Sequence, residues 1–168
     1  MVYRYRIRGD KWGLQRSDVL RAHPFAEARS FVPEGTVWRE IGQRYRTRYV
    51  NDVVITVRRA GSDRLSDRPF ADQADGMVSF CARTLSDDIG WFRHHPIGFA
   101  RIAATFARGL FHQGVPTYRQ PMRLSTWRGR ALWAVAWPLG WLLYVRDSRR
   151  GAALSAASIR EDKRYRET

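Results

Sequence analysis

The sequence predicts an α+β fold: a small N-terminal antiparallel sheet with short helices, followed by a C-terminal helical region containing a short Trp-rich apolar helix. Three observations predict it. Residues 3–8 and 43–50 alternate aromatic, apolar or small residues with arginines, the period of two of a half-buried strand. Behind Pro96, apolar residues recur at helical spacing as far as Phe111. Residues 131–145 contain no charged side chain.

Taken in order, Tyr3, Tyr5 and Ile7 share one strand face and Arg4, Arg6 and Arg8 the other, and Gly9-Asp10 ends the strand. Ser17 is placed to cap a short helix over Asp18 to Ala22, and Pro24 to open a second one through Phe31. Pro33-Glu34-Gly35 reads as a turn and Thr36 to Ile41 as a strand. Gln43 to Val50, Asn51-Asp52 and the β-branched run Val53 to Arg59 form the pattern of a hairpin. Residues 1–60 thus read as an arginine-faced β-rich domain, and polar residues 61–76 as a loop or linker. Residues 77–146 read as a helical region. Within it, Ser86-Asp87-Asp88 caps a turn leading to Trp91 and Phe92, and the glycines and prolines of 113–130 mark a loop. Residues 147–168 form a charged tail.

The 168 residues carry 30 Lys+Arg against 16 Asp+Glu, a formal net charge of +14. Lysine occurs only at 11 and 163, so arginine supplies the rest. A field of that strength attracts polyanions: nucleic acid, anionic lipid or an acidic protein. Seven Trp, seven Tyr and eight Phe exclude a disordered polycation. The single cysteine, Cys81, excludes an internal disulfide and suits a reducing compartment. Residues 1–6 carry no apolar stretch of the kind a secretory signal needs, which points to the cytoplasm or the cytoplasmic side of a membrane.

Two arrangements carry the functional expectation. If the two alternating strands share a sheet, Arg4, Arg6, Arg8, Arg44, Arg46 and Arg48 form an anion-binding plate whose mutual repulsion phosphates would relieve. The same residues also suit a solvated outer face bridged to Asp18, Glu27, Glu34 or Glu40. The second arrangement is the segment 131–145. As a helix it spans roughly 22 Å, short of a bilayer core of roughly 30 Å. Trp133, Trp137 and Trp141 recur every four residues as a membrane-interface stripe. Arg128 and Arg130 precede the segment, Arg146, Arg149 and Arg150 follow it, and Pro138 is expected to kink or break it. Arginine at both flanks favours a segment lying in the interface over a simple span. A buried core helix and a contact with another subunit fit the same residues. On the neighbouring helix, Arg101, Thr105, Arg108 and His112 fall in one polar stripe, which suits an interfacial helix and a core helix alike.

The residues that would support catalysis are sparse. His94 and His95 are adjacent and diverge on a helix, so no metal site is expected. There is no phosphate-binding glycine loop and no nucleophile elbow, and the five glutamates form no pair. No cofactor is expected, and Cys81 reads as a buried structural thiol. The expected function is that of a small basic non-enzymatic accessory or scaffolding protein on an anionic membrane surface or membrane protein complex. A nucleic-acid-binding protein and a subunit of a larger assembly are the alternatives.

Overall fold

The computed structural model describes residues 15–25, 33–46, 48 and 69–166, with side chains described through Gly151. Among the described residues five α-helices run in the order α1 (Ser17–Ala22), α2 (Gly35–Arg44), α3 (Phe70–Asp87), α4 (Pro96–His112) and α5 (Trp127–Arg166). Two 3₁₀ segments, Ile89–His94 and Thr117–Arg123, lie in the connections. No strand occurs among the described residues, which overturns the expected α+β class.

The correction is sharpest at residues 36–44. The expected strand over Thr36 to Ile41 and the first residues of the expected hairpin, Gln43 and Arg44, lie in α2. Val37 and Ile41, four apart, are the buried positions of that helix, so its apolar period is helical. The Pro33-Glu34-Gly35 turn leads into it: Glu34 is already helical in its backbone, and Thr36 Oγ1 donates back to the Pro33 carbonyl at 2.8 Å. The alternating stretch 3–8, the returning strand 53–59 and most of the expected helix through Phe31 lie outside the described residues.

α3, α4 and α5 build the core. α3 and α4 are antiparallel, joined by the 3₁₀ turn Ile89–His94. Val78, Cys81 and Leu85 of α3 meet Phe99, Ala103, Phe106 and Leu110 of α4 in one cluster. α3 begins at Phe70, inside the stretch expected to be linker. α4 covers nearly the range read from the sequence, with Pro96 in its first turn.

α4 ends in a Schellman motif. The Val115 N–H reaches the Leu110 carbonyl at 2.9 Å and the Gly114 N–H the Phe111 carbonyl at 3.0 Å, with Gly114 at φ 67°. A side chain at Gly114 would strain that left-handed backbone. The motif turns the chain back along the bundle, so α5 starts beside the end of α3 and runs parallel to α4. Thr126 Oγ1 donates to the Leu85 carbonyl and accepts the Gly129 N–H, each at 3.2 Å, which caps α5 at that point. Further along, Gly140 faces Ala104 and Ala107, and Asp147 reaches Arg108 and His112. The base of the bundle is therefore where α3 ends and α4 and α5 begin. The returning connection is pinned by buried Gln120, which donates to the Val115 carbonyl at 3.2 Å and accepts from Trp133 Nε1 at 3.3 Å.

α5 is 40 residues long, roughly 60 Å, and runs past the last turn of α4. It continues through Pro138 without the expected break. Pro138 sits on the outward face, so the ring meets no packed neighbour helix.

α1 and α2 form a satellite around Val19, Val37 and Ile41. Ion pairs fasten it to the end of α3. Arg39 Nη2 donates to Asp87 at 3.0 Å and to Asp88 at 3.1 Å, Arg39 Nε lies 2.9 Å from Asp88, and Arg83 reaches Glu40 at 2.8 Å.

Gly140 is the point of closest approach. An added Cβ would lie 2.6 Å from the Ala107 Cβ and 2.7 Å from the Ala104 carbonyl oxygen. We expect Gly140→Ala to destabilise the protein by about 1–2 kcal/mol, overpacking outweighing the gain in helix propensity. Gly42→Ala, in a helix with open space at the same position, should instead stabilise by up to about 1 kcal/mol. Denaturant midpoints check both signs. A second expectation concerns Cys81, whose thiol burial pushes up to about 12. The native protein at pH 8 should react with a disulfide reagent only as fast as the core opens, and immediately in denaturant.

Candidate functional site

The outward face of α5 is the candidate interface. At 100° per residue, Gly129, Ala136, Gly140 and Asp147 define its inner side, against α3 and α4. The opposite side carries Trp127, Ala131, Ala134, Val135, Pro138, Leu139, Trp141 and Leu142, all exposed. Val135 is 80% exposed, Trp127 73% and Leu142 58%, values unusual for large apolar groups on a folded chain. From Trp127 to Leu142 this strip is about 22 Å long at helical rise.

Arginine closes both ends of the strip. Arg128 and Arg130 stand at its start and Arg146, Arg149 and Arg150 at its end, all exposed. Arg128 lies 5.6 Å from the Trp127 ring centroid, and Arg130 donates to the Leu124 carbonyl at 2.9 Å. Among the described residues none of the five pairs with a carboxylate. Of the described acids, Glu40, Asp87 and Asp88 hold the satellite, and Asp147 faces inward.

The three tryptophans expected as one interfacial stripe are divided. Trp133 turns inward to Gln120, and Trp137 packs on Phe111 with ring centroids 6.1 Å apart. Only Trp141 of the three is exposed. A step of four residues overshoots a helical turn by 40°, so the row winds from the inner side to the outer. Trp127 and Val135, which the sequence reading did not single out, hold the most exposed apolar positions on α5 instead.

Of the expected anion-binding plate, Arg4, Arg6 and Arg8 lie outside the described residues. Arg44 ends α2, and Arg46 and Arg48 follow it, all exposed. The described part shows no sheet to align them.

A second group of charged residues closes the top of the bundle, where α3 begins and α4 ends. Asp147 Oδ2 accepts from Arg108 Nε at 2.6 Å and lies 3.1 Å from His112 Nε2. The Arg108 guanidinium sits 3.7 Å from the Phe70 ring centroid, a cation–π contact, and the Tyr144 ring meets His112 edge-on at 5.0 Å. The expected polar stripe of α4 is thus split: Arg101 is exposed, while Arg108 and His112 bind α5. Burial alone would raise the Asp147 pKa, but the hydrogen bonds and positive charge of Arg108 and His112 outweigh it and hold the carboxyl below its ordinary value. Asp147 is the sole carboxylate between Asp88 and Glu161, a signal present in the sequence.

Among the described residues no three His, Cys, Asp or Glu side chains gather as a metal site requires, and no helix is long and apolar enough to cross a membrane. No family model, curated protein or solved structure matches the chain.

The Asp147 cluster sets a pH dependence. A folded-state pKa below the unfolded value gives stability that is full above the unfolded pKa and is lost as pH falls through the folded one. Asp147→Asn should lower stability by about 3 kcal/mol at neutral pH, because it leaves the Arg108 charge uncompensated. The gap between parent and variant should close on acidification below about pH 4. Unfolding midpoints measured from pH 7 to pH 2 check this, and two parallel curves would contradict it.

Proposed function

We propose that the protein is a small non-enzymatic accessory or scaffolding protein that docks on an anionic membrane surface through the outer face of α5. One observation carries the reading: an uncharged apolar strip, solvent-exposed from Trp127 to Leu142 along about 22 Å, with arginines at both ends that pair with no described carboxylate and no described acid on it.

The charge pattern selects the partner. Arginine stands at both ends, so a second copy laid along the strip would meet like charge in either direction. An anionic surface complements both ends at once. Each arginine near such a surface contributes about 1 kcal/mol, and the apolar side chains add the transfer of their exposed area out of water. The two contributions differ in their response to salt. The Debye length shrinks from about 10 Å at 0.1 M to about 3 Å at 1 M, which weakens the arginine part and leaves the apolar part.

Flotation with vesicles tests the reading. The protein should rise with phosphatidylserine-containing vesicles at 0.1 M salt and only weakly with pure phosphatidylcholine. Val135→Glu combined with Leu142→Glu should reduce binding more than tenfold while leaving the helical content unchanged. Replacing Arg146, Arg149 and Arg150 by Gln should lower the salt concentration at which binding is half lost. Protein that stays at the bottom of the gradient at low salt removes the proposal. A steeply salt-dependent gel shift in its place turns the reading to nucleic acid.

A further inference from the structure

The two ends of the bundle differ in a way that bears on how the protein would sit on such a surface. At the base, the 3₁₀ turn between α3 and α4 leaves Trp91, Phe92 and Arg93 exposed in succession. One turn later Ile97 is 67% exposed at the start of α4. Trp127, at the start of α5, stands at this end of the bundle and opens the strip along α5. The described cations of this end, Arg93, Arg128 and Arg130, are exposed. Its acids, Asp87 and Asp88, are both held by Arg39.

The top is built the other way. Phe70 lies against Arg108 and His112, and Asp72 and Asp75 are exposed in the first turns of α3. Asp75 accepts from Gln113 at 2.7 Å, so the acidic side of the top belongs to α3, with α4 between it and α5. An anionic surface attracts the base and the α5 side, and repels the top of α3.

We infer that the protein docks obliquely, base first, with Trp91, Ile97 and Trp127 entering the acyl boundary while Arg146, Arg149 and Arg150 stay among the headgroup phosphates. The inference rests on the membrane reading above and adds an orientation to it. Trp suits the boundary between headgroups and chains, and the long arginine stems let charge remain in the hydrated layer. The surface is then a tilted wedge, with the top of α3 pointing away from the bilayer.

Depth-dependent quenching tests it. Single cysteines replace Ile97, Val135, Leu142 and, as a control on α3, Ser79. Each carries a bimane label, and the native thiol at Cys81 is buried and does not take it up. The vesicles are phosphatidylcholine and phosphatidylserine with bromine on the acyl chains. The Ile97 label should be quenched at least as strongly as the Val135 label, the Leu142 label less, and the Ser79 label not at all. Trp91→Asp combined with Ile97→Glu should cut vesicle binding about tenfold with unchanged circular dichroism. Strong quenching at Val135 and Leu142 with none at Ile97 means flat docking; it overturns the orientation and leaves the membrane reading standing. Failure of the unlabelled protein to float overturns both.

Discussion

The architecture depends on how closely α4 can be enclosed. Its buried positions are mostly small or aromatic: Ala103, Ala104 and Ala107 alternate with Phe99 and Phe106. Alanine on α4 opposite Gly140 on α5 brings the two backbones together without displacing side chains. On its other side α4 fills the α3 interface with Phe99, Phe106 and Leu110. One helix is thereby buried from two directions. That leaves α5 with a satisfied inner face and an outer face that no described element covers. The exposed strip is a consequence of the parallel placement of α5, which in turn follows from the Schellman turn at Gly114.

Charge is partitioned in the same way. Three of the described acids serve internal fastening: Asp87 and Asp88 for the satellite, Asp147 for the top of α5. Each ties down an arginine that would otherwise face water. The other described arginines lie mainly on surfaces, and those flanking the strip are among them. The mostly buried Asp147 group also fixes the register of α5 against α4, because sliding α5 by one turn would strand a carboxylate away from both its partners.

The sequence was most legible where period and punctuation agreed. Pro96 and the 3.6 spacing behind it located α4 to within one residue of its end. The uncharged run 131–145 was legible as a helix with arginine flanks, and the structure extends that helix in both directions. The failures share one cause, which is that a short alternation of two residue types satisfies a strand and a helix end equally well. Residues 43 and 44 opened such an alternation and close α2 instead, and Thr36 to Ile41 has β-branched residues whose buried pair, Val37 and Ile41, is helical in spacing. At the candidate interface arginines flank the helix as the sequence reads, and of the three expected tryptophans only Trp141 is exposed. Spacing of four approximates a helical row only over short distances, so Trp133 and Trp137 end inside and Trp127 outside. Position against neighbours decides that, and it depends on contacts such as Gln120 with Trp133 that no local pattern contains.

Pro138 gives the strip a property beyond its apolarity. Proline has no N–H to offer, so the carbonyl of Ala134, one turn earlier, receives no helical hydrogen bond from that position. Both residues lie on the exposed side. An oxygen with free lone pairs thus sits midway along an otherwise greasy surface. In hydrocarbon such a group costs several kcal/mol, whereas beside water or a headgroup it costs little. Covering the strip at that point would therefore cost more than elsewhere along it, because it would take that oxygen out of water.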